Sequence, residues 1–118
     1  MVIQFDTPHS IKANDAFKAP LIEILNEKLD RFDRHVSRLE VHLSDENGHK
    51  NGVNDKRCLL EAHIAGMPHV VVTDHANSYE QAVDGAAQKL IGSLNSIHGR
   101  LEHSHKASKQ EEATDIEN

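Results

Sequence analysis

The chain contains no tryptophan, one tyrosine, three phenylalanines and a single cysteine in 118 residues. So small an aromatic supply leaves Leu, Ile, Val and Ala to build the interior, and gives little with which to line a large ligand cavity. Cys58, standing alone, excludes an internal disulfide and any zinc site made from several thiolates of one chain, and it suits a reducing cytoplasm. No cationic start leads into an apolar run of signal length, and nothing approaches the roughly 20 apolar residues of a membrane span. The expectation is a soluble cytoplasmic protein with no membrane partner. Net positive charge is also lacking: the formal charge is −6, which argues against a generic nucleic-acid binder. Half of it sits at the end, where Lys109 stands against Glu111, Glu112, Asp115 and Glu117, so that Ala107 to Asn118 carries −3.

What the chain does have is periodicity. Val2-Ile3-Gln4-Phe5 is a short β-type run stopped by Thr7-Pro8, since proline cannot donate to a ladder. From about Asn14, a plausible N-cap, Leu21, Leu25, Leu29, Phe32 and Val36 recur at three- and four-residue spacing, predicting a first helix; Pro20 moves its expected start toward Ala19. Leu39 to Leu43 alternates apolar and polar, and Cys58, Leu60, Ala62 and Ile64 alternate likewise, so two half-buried strands flank the Gly/Asn/Asp-rich connector Ser44 to Cys58. Gly66-Met67-Pro68 turns into a further β run, His69 to Thr73. Ser78 with Gln81 marks the cap of a second helix, whose apolar stripe runs from Tyr79 through Val83, Ala86, Leu90, Leu94 and Ile97 to Leu101.

The expected architecture is α+β: β-α-β-β-β-α, a four-stranded sheet with both helices on one face and a parallel first pair. One domain spans residues 1–103, and the polar, aperiodic residues 104–118 read as a disordered acidic tail.

Several constellations invite chemistry. Taking Leu25 as the buried direction of the first helix, at 100° per residue, Lys28 and His35 share one flank with Arg31 and Arg38 just beyond. Two readings fit: a solvated face with ordinary i,i+4 pairs such as Glu27 with Arg31, or a phosphate footprint extended by Lys56 and Arg57. Aromatic interleaving is absent, so any RNA contact would be to backbone and shape. His98, His103 and His105 are spaced i, i+5, i+7, which does not present three imidazoles on one helical face, so no metal is expected there. His42 and His63 fall on outward strand faces as candidate cross-strand neighbours. Cys58 falls on the apolar face as a buried thiol, and no catalytic arrangement, cofactor or small-molecule substrate is indicated. Gly85, Gly92 and Gly99 recur every seven residues on what reads as the outer face of the second helix, opposite Val83, Leu90 and Ile97; coincidence and the close approach of another backbone both fit.

Lys28-Leu29-Asp30-Arg31-Phe32, the hairpin from Asp45-Glu46-Asn47-Gly48 to Asp55-Lys56-Arg57-Cys58, and Tyr79-Glu80-Gln81-Ala82-Val83-Asp84 leading to Lys89-Leu90 together resemble the ribosome hibernation promoting factors and related ribosome-associated inhibitors, the subunit-interface proteins. The resemblance covers about Val2 to Leu101. It implies this same fold, and binding to the small ribosomal subunit, through 16S rRNA, where messenger and transfer RNA would otherwise sit, with occlusion as the mechanism. Lys28, Arg31 and Lys89 match the family's basic helix surfaces; charge placement adds Arg34, Arg38, Lys56 and Arg57. The second helix departs from the pattern, because Ile91-Gly92-Ser93-Leu94-Asn95-Ser96-Ile97-His98 stands where relatives carry several arginines and lysines. Weaker rRNA affinity is expected in consequence. The alternative is an interaction or stress-response module of the same fold that has lost ribosome binding. The long C-terminal extension of dimerising forms is not seen, leaving at most a weak homo-oligomer.

Overall fold

The computed structural model of the protein describes residues 1–46 and 55–110, with side chains described through residue 97. The elements follow in the expected order: β1 (Val2–Asp6), α1 (Asp15–Leu29), a 3-10 turn (Asp30–Phe32), β2 (Val36–Asp45), β3 (Lys56–Ile64), β4 (Val70–Ala76) and α2 (Tyr79–Gln110). They form an α+β structure on one four-stranded sheet ordered β1-β2-β3-β4. β1 runs parallel to β2, with Ile3 opposite Leu39, as a crossover through α1 permits. The remaining neighbours are antiparallel, with Leu43 opposite Cys58 and Leu60 opposite Val72. Residues 47–54, the tip of the family-like hairpin, lie outside the described residues.

Helix α1 starts where the cap expects it. The Asn14 side chain accepts from the Phe17 backbone N–H at 2.9 Å, and Pro20 sits inside the helix instead of pushing its start to Ala19. Its far end is a correction: α1 stops at Leu29, and neither Val36 nor Arg38 is helical. The three-residue step from Val36 to Leu39 mimics a helical period but comes from a β-bulge. Val36 lies opposite Ile64 and Arg38 opposite His63, with the irregularity between them. The extra residue lets Val36 and Leu39 both face the core, and it sends Arg38 to the other side of the sheet.

Core residues confirm one buried side. Leu21, Leu25, Leu29 and Phe32 pack with Leu39, Val41, Leu43, Cys58, Leu60 and Ala62 from the sheet and with Val83, Ala86, Leu90 and Leu94 from α2 in one cluster. Both helices therefore cover the same face. Helix α2 begins at a Ser78 cap, whose Oγ accepts from the Gln81 N–H at 3.1 Å, and it is helical to Gln110, past the end of the apolar stripe at Leu101. Glu102, Lys106, Ala107, Lys109 and Gln110 are all good helix formers, which explains how the helix outlasts its buried stripe. Residues 111–118 of the expected tail lie outside the described residues.

Gly85 is not on an outer face. The alternation of β4 turns Asp74 toward α2, and a Cβ on Gly85 would overlap the Asp74 carboxylate. Gly92, one heptad on, has open space where its Cβ would be, so the two glycines differ in kind.

Candidate nucleic-acid interface

The structure divides the seven predicted cationic residues among four places. Lys28 closes the last turn of α1, Arg31 lies in the 3-10 turn after it, and Arg34 is exposed in the turn before β2. These three follow one another in the chain at the end of α1, and two of them reach across to α2. Lys28 Nζ lies 3.3 Å from Asp84 Oδ1 and 3.5 Å from Gln88 Oε1. Arg31 donates to the Asn95 side-chain oxygen and stacks its guanidinium 4.7 Å from the Phe32 ring centroid. Lys89 sits on the opposite flank of α2, where Nζ donates to the Thr73 carbonyl at 2.8 Å and lies 3.1 Å from Asp74 Oδ1.

Lys56 begins β3 and is held by two carboxylates, Asp45 at 2.9 Å and Asp55 at 3.3 Å. The hydrogen bond to Asp45, with Asp55 adding to it against partial burial, raises its ammonium above the ordinary lysine value. Arg57 points to the face of the sheet away from the helices, beside Asp6, Ser44 and His42. Arg38 lies on that same open face with Nη2 at 2.9 Å from Glu40 Oε2. The continuous basic helix edge that would have joined Lys28, Arg31 and Arg38 is thus corrected: the bulge at the start of β2 separates Arg38 from the other two.

Pairing tempers the positive potential. Lys28, Arg38, Lys56 and Lys89 each have a carboxylate within 3.3 Å, whereas Arg31 meets the neutral Asn95 and the Phe32 ring. Exposed pairs of this kind hold little net energy and exchange readily for another anion. Sequence reasoning missed the α2 residues that receive these cations. Asp84, Gln88 and Asn95 are spaced i, i+4, i+11, one helical face, and that spacing was the available signal.

The histidines on the open face also differ from expectation. His42 lies opposite Leu59 and His63 opposite Arg38, so they are not direct cross-strand neighbours; Glu40 stands between them, 3.3 Å from His42 Nε2 and 3.0 Å from His63 Nε2. Cys58 is buried, and burial, reinforced by the charge of Asp74, pushes its thiol up to about 12. At neutral pH it is a protonated core side chain.

An open-faced α+β sheet with two helices on one side, carrying its cations at helix ends and at the base of a hairpin, is a surface-binding architecture. The chain belongs to the sigma 54 modulation protein / S30EA ribosomal protein family, whose model matches residues 7–102. Among solved structures it is similar to the N-terminal domain of Thermus thermophilus protein Y, at 19% identity and a TM-score of 0.63, over 82% of this chain and 99% of that one. It is also similar to a ribosomal subunit interface protein from Coxiella burnetii, at 19% identity and a TM-score of 0.61, over 84% of this chain and 99% of that one. At that identity the two structures bear on the fold alone. No curated protein matches the sequence.

Proposed function

We propose that this chain is a ribosome-associated, non-catalytic factor that occupies the decoding region of the small subunit through backbone contacts to 16S rRNA and slows translation by occlusion. Membership of the S30EA ribosomal protein family supports the ribosome as partner. Within the chain the reading rests on one observation: Lys28 and Arg31, at the end of α1, both lie against a polar α2 surface, with the exposed Arg34 following in the chain. A point charge beside planar guanidinium forks suits phosphate oxygens. Few aromatics stand ready to stack bases, so shape and backbone are what this surface reads.

The carboxylate partners of Lys28 and Lys89 favour the competing reading, in which the fold persists without ribosome binding. Sedimentation of a stationary-phase extract at low salt separates the two: absence from ribosomal fractions overturns the proposal. The double variant Lys28→Glu, Arg31→Glu is expected to weaken co-sedimentation and to reduce the log–log salt slope by about 1.5–2 for two lost phosphate contacts. Its thermal melt is expected to fall only modestly, because Arg31 is exposed and the half-buried Lys28 loses a single ion pair to Asp84; circular dichroism checks that the variant is folded. Unaltered binding of that variant moves the contact away from α1.

A further inference from the structure

The face of the sheet turned away from the helices carries alternating carboxylates and imidazoles, which rRNA binding through α1 leaves unused. Asp6 Oδ2 on β1 lies 3.2 Å from His42 Nδ1 on β2, and His42 Nε2 lies 3.3 Å from Glu40 Oε1. Glu40 Oε2 is 3.0 Å from His63 Nε2 on β3, which is 3.8 Å from Glu61 Oε2. That same Glu61 oxygen is 2.6 Å from Nδ1 of His69, the residue before β4. Register creates this row. Glu40 lies opposite Glu61, and Glu61 opposite Val71, which brings His69 beside His63 with ring centroids 3.7 Å apart.

Two carboxylates directly opposite one another repel, and two imidazoles in contact resist carrying charge together. A cation relieves the first without adding to the second. In the protein alone Arg38 partly serves, with Nη2 2.9 Å from Glu40 and 3.3 Å from His63 Nε2. It fits imperfectly: its Nε is buried without a hydrogen-bond partner among the described residues.

We propose that Glu61, His63 and His69, with Glu40 as the fourth donor, bind a divalent transition-metal ion of the zinc class, tying β2, β3 and the start of β4 together on the open face. The ligand atoms of Glu61, His63 and His69 lie within 4.8 Å of one another. Around zinc, with bonds of about 2.0–2.2 Å, tetrahedral neighbours stand about 3.4 Å apart. The contacts of 2.6, 3.0 and 3.8 Å bracket that spacing, so small rotations of surface side chains close the shell. Imidazole nitrogens with carboxylate oxygens select zinc and its neighbours in the first transition row over magnesium or calcium. Arg38, with 42% of its side chain exposed, is free to swing outward as the ion enters.

The test titrates the full chain, stripped with chelator, with zinc chloride against a chromophoric competitor, and with cobalt(II) to read the visible bands of a four-coordinate site. All proteins carry His103→Ala and His105→Ala, so that the end of α2 cannot supply the imidazoles. One equivalent is expected, with affinity lowered at least 10-fold by His63→Ala, His69→Ala or Glu61→Gln and unchanged by His75→Ala. Arg38→Gln is expected to tighten binding several-fold, because it removes a competing cation; a merely structural role for Arg38 does not give that direction. His69 is exposed, so its variant carries the test should His63→Ala fold poorly. Zinc affinity lost in the His103→Ala, His105→Ala background alone, or indifferent to His63→Ala and His69→Ala, overturns the site.

Discussion

Cys58 sits at a β3 position opposite Asp74 on β4, whose charge bears on the thiol. Burial first, and the Asp74 charge second, move the thiol from an ordinary 9.0 to about 12. For a group that ionises by losing a proton, a raised folded value means that the folded chain keeps its proton where the unfolded chain has released it. Stability is therefore undiminished below pH 9 and falls between about pH 9 and pH 12, by up to about 1.4 kcal/mol per pH unit. Urea denaturation from pH 8 to pH 11 checks this against Cys58→Ala, which should show a shallower alkaline decline. Tyr79, whose hydroxyl burial also raises, contributes equally to both proteins, and identical slopes would rule the account out. The burial of Cys58 was legible in the alternation of Cys58, Leu60, Ala62 and Ile64. The proximity of Asp74 was not, because it depends on how β4 registers against β3, and local pattern carries no cross-strand register.

Among the elements, strands and helix starts were more readable than helix ends. Asn14 and Ser78 announce α1 and α2 through side-chain oxygens that accept orphan backbone N–H groups, a local rule. The end of α1 was hidden, because Phe32 and Val36 stay in the core by means of a 3-10 turn and a strand, and core residues spaced three and four apart look helical whatever backbone delivers them. That one misreading also placed Arg38 beside Arg31. The α2 glycines divide at the same scale. Gly85→Ala drives a methyl into the Asp74 carboxylate and disturbs the Lys89 pair, so a lower melting temperature is expected despite better helix propensity. Gly92→Ala meets nothing within 4 Å and should raise stability by about 0.5–1 kcal/mol. Chemical denaturation of the two variants side by side decides this; equal effects of the same sign would refute the distinction.

Taken as a whole, the molecule has two chemically different faces back to back. One presents helices and the cations Lys28, Arg31 and Arg34; the other presents a bare sheet with its acid–imidazole row. No helix among the described residues is long and apolar enough to cross a membrane. The chain's overall negative charge concealed the first face, since a local run of three cations is invisible in a sum. The second was half legible: alternation set His42 and His63 outward, but His69 and the two glutamates join them only through the register of three strands.

The ion pair on Lys89 has a further consequence. β4 is a terminal strand of the sheet, and its sequence Val70-Val71-Val72-Thr73 is of the kind that templates intermolecular β pairing when left uncovered. Lys89 places an ammonium on the Thr73 carbonyl and beside Asp74, a charge of the kind that discourages edge-to-edge pairing. Lys89→Ala is expected to increase self-association at high concentration, seen by sedimentation velocity as concentration-dependent larger species; a monodisperse variant would contradict this. Were Lys89 to take up the phosphate contact proposed for it, its ammonium would have to leave Thr73 and Asp74, so binding would uncover the same strand edge that the pair covers in the protein alone.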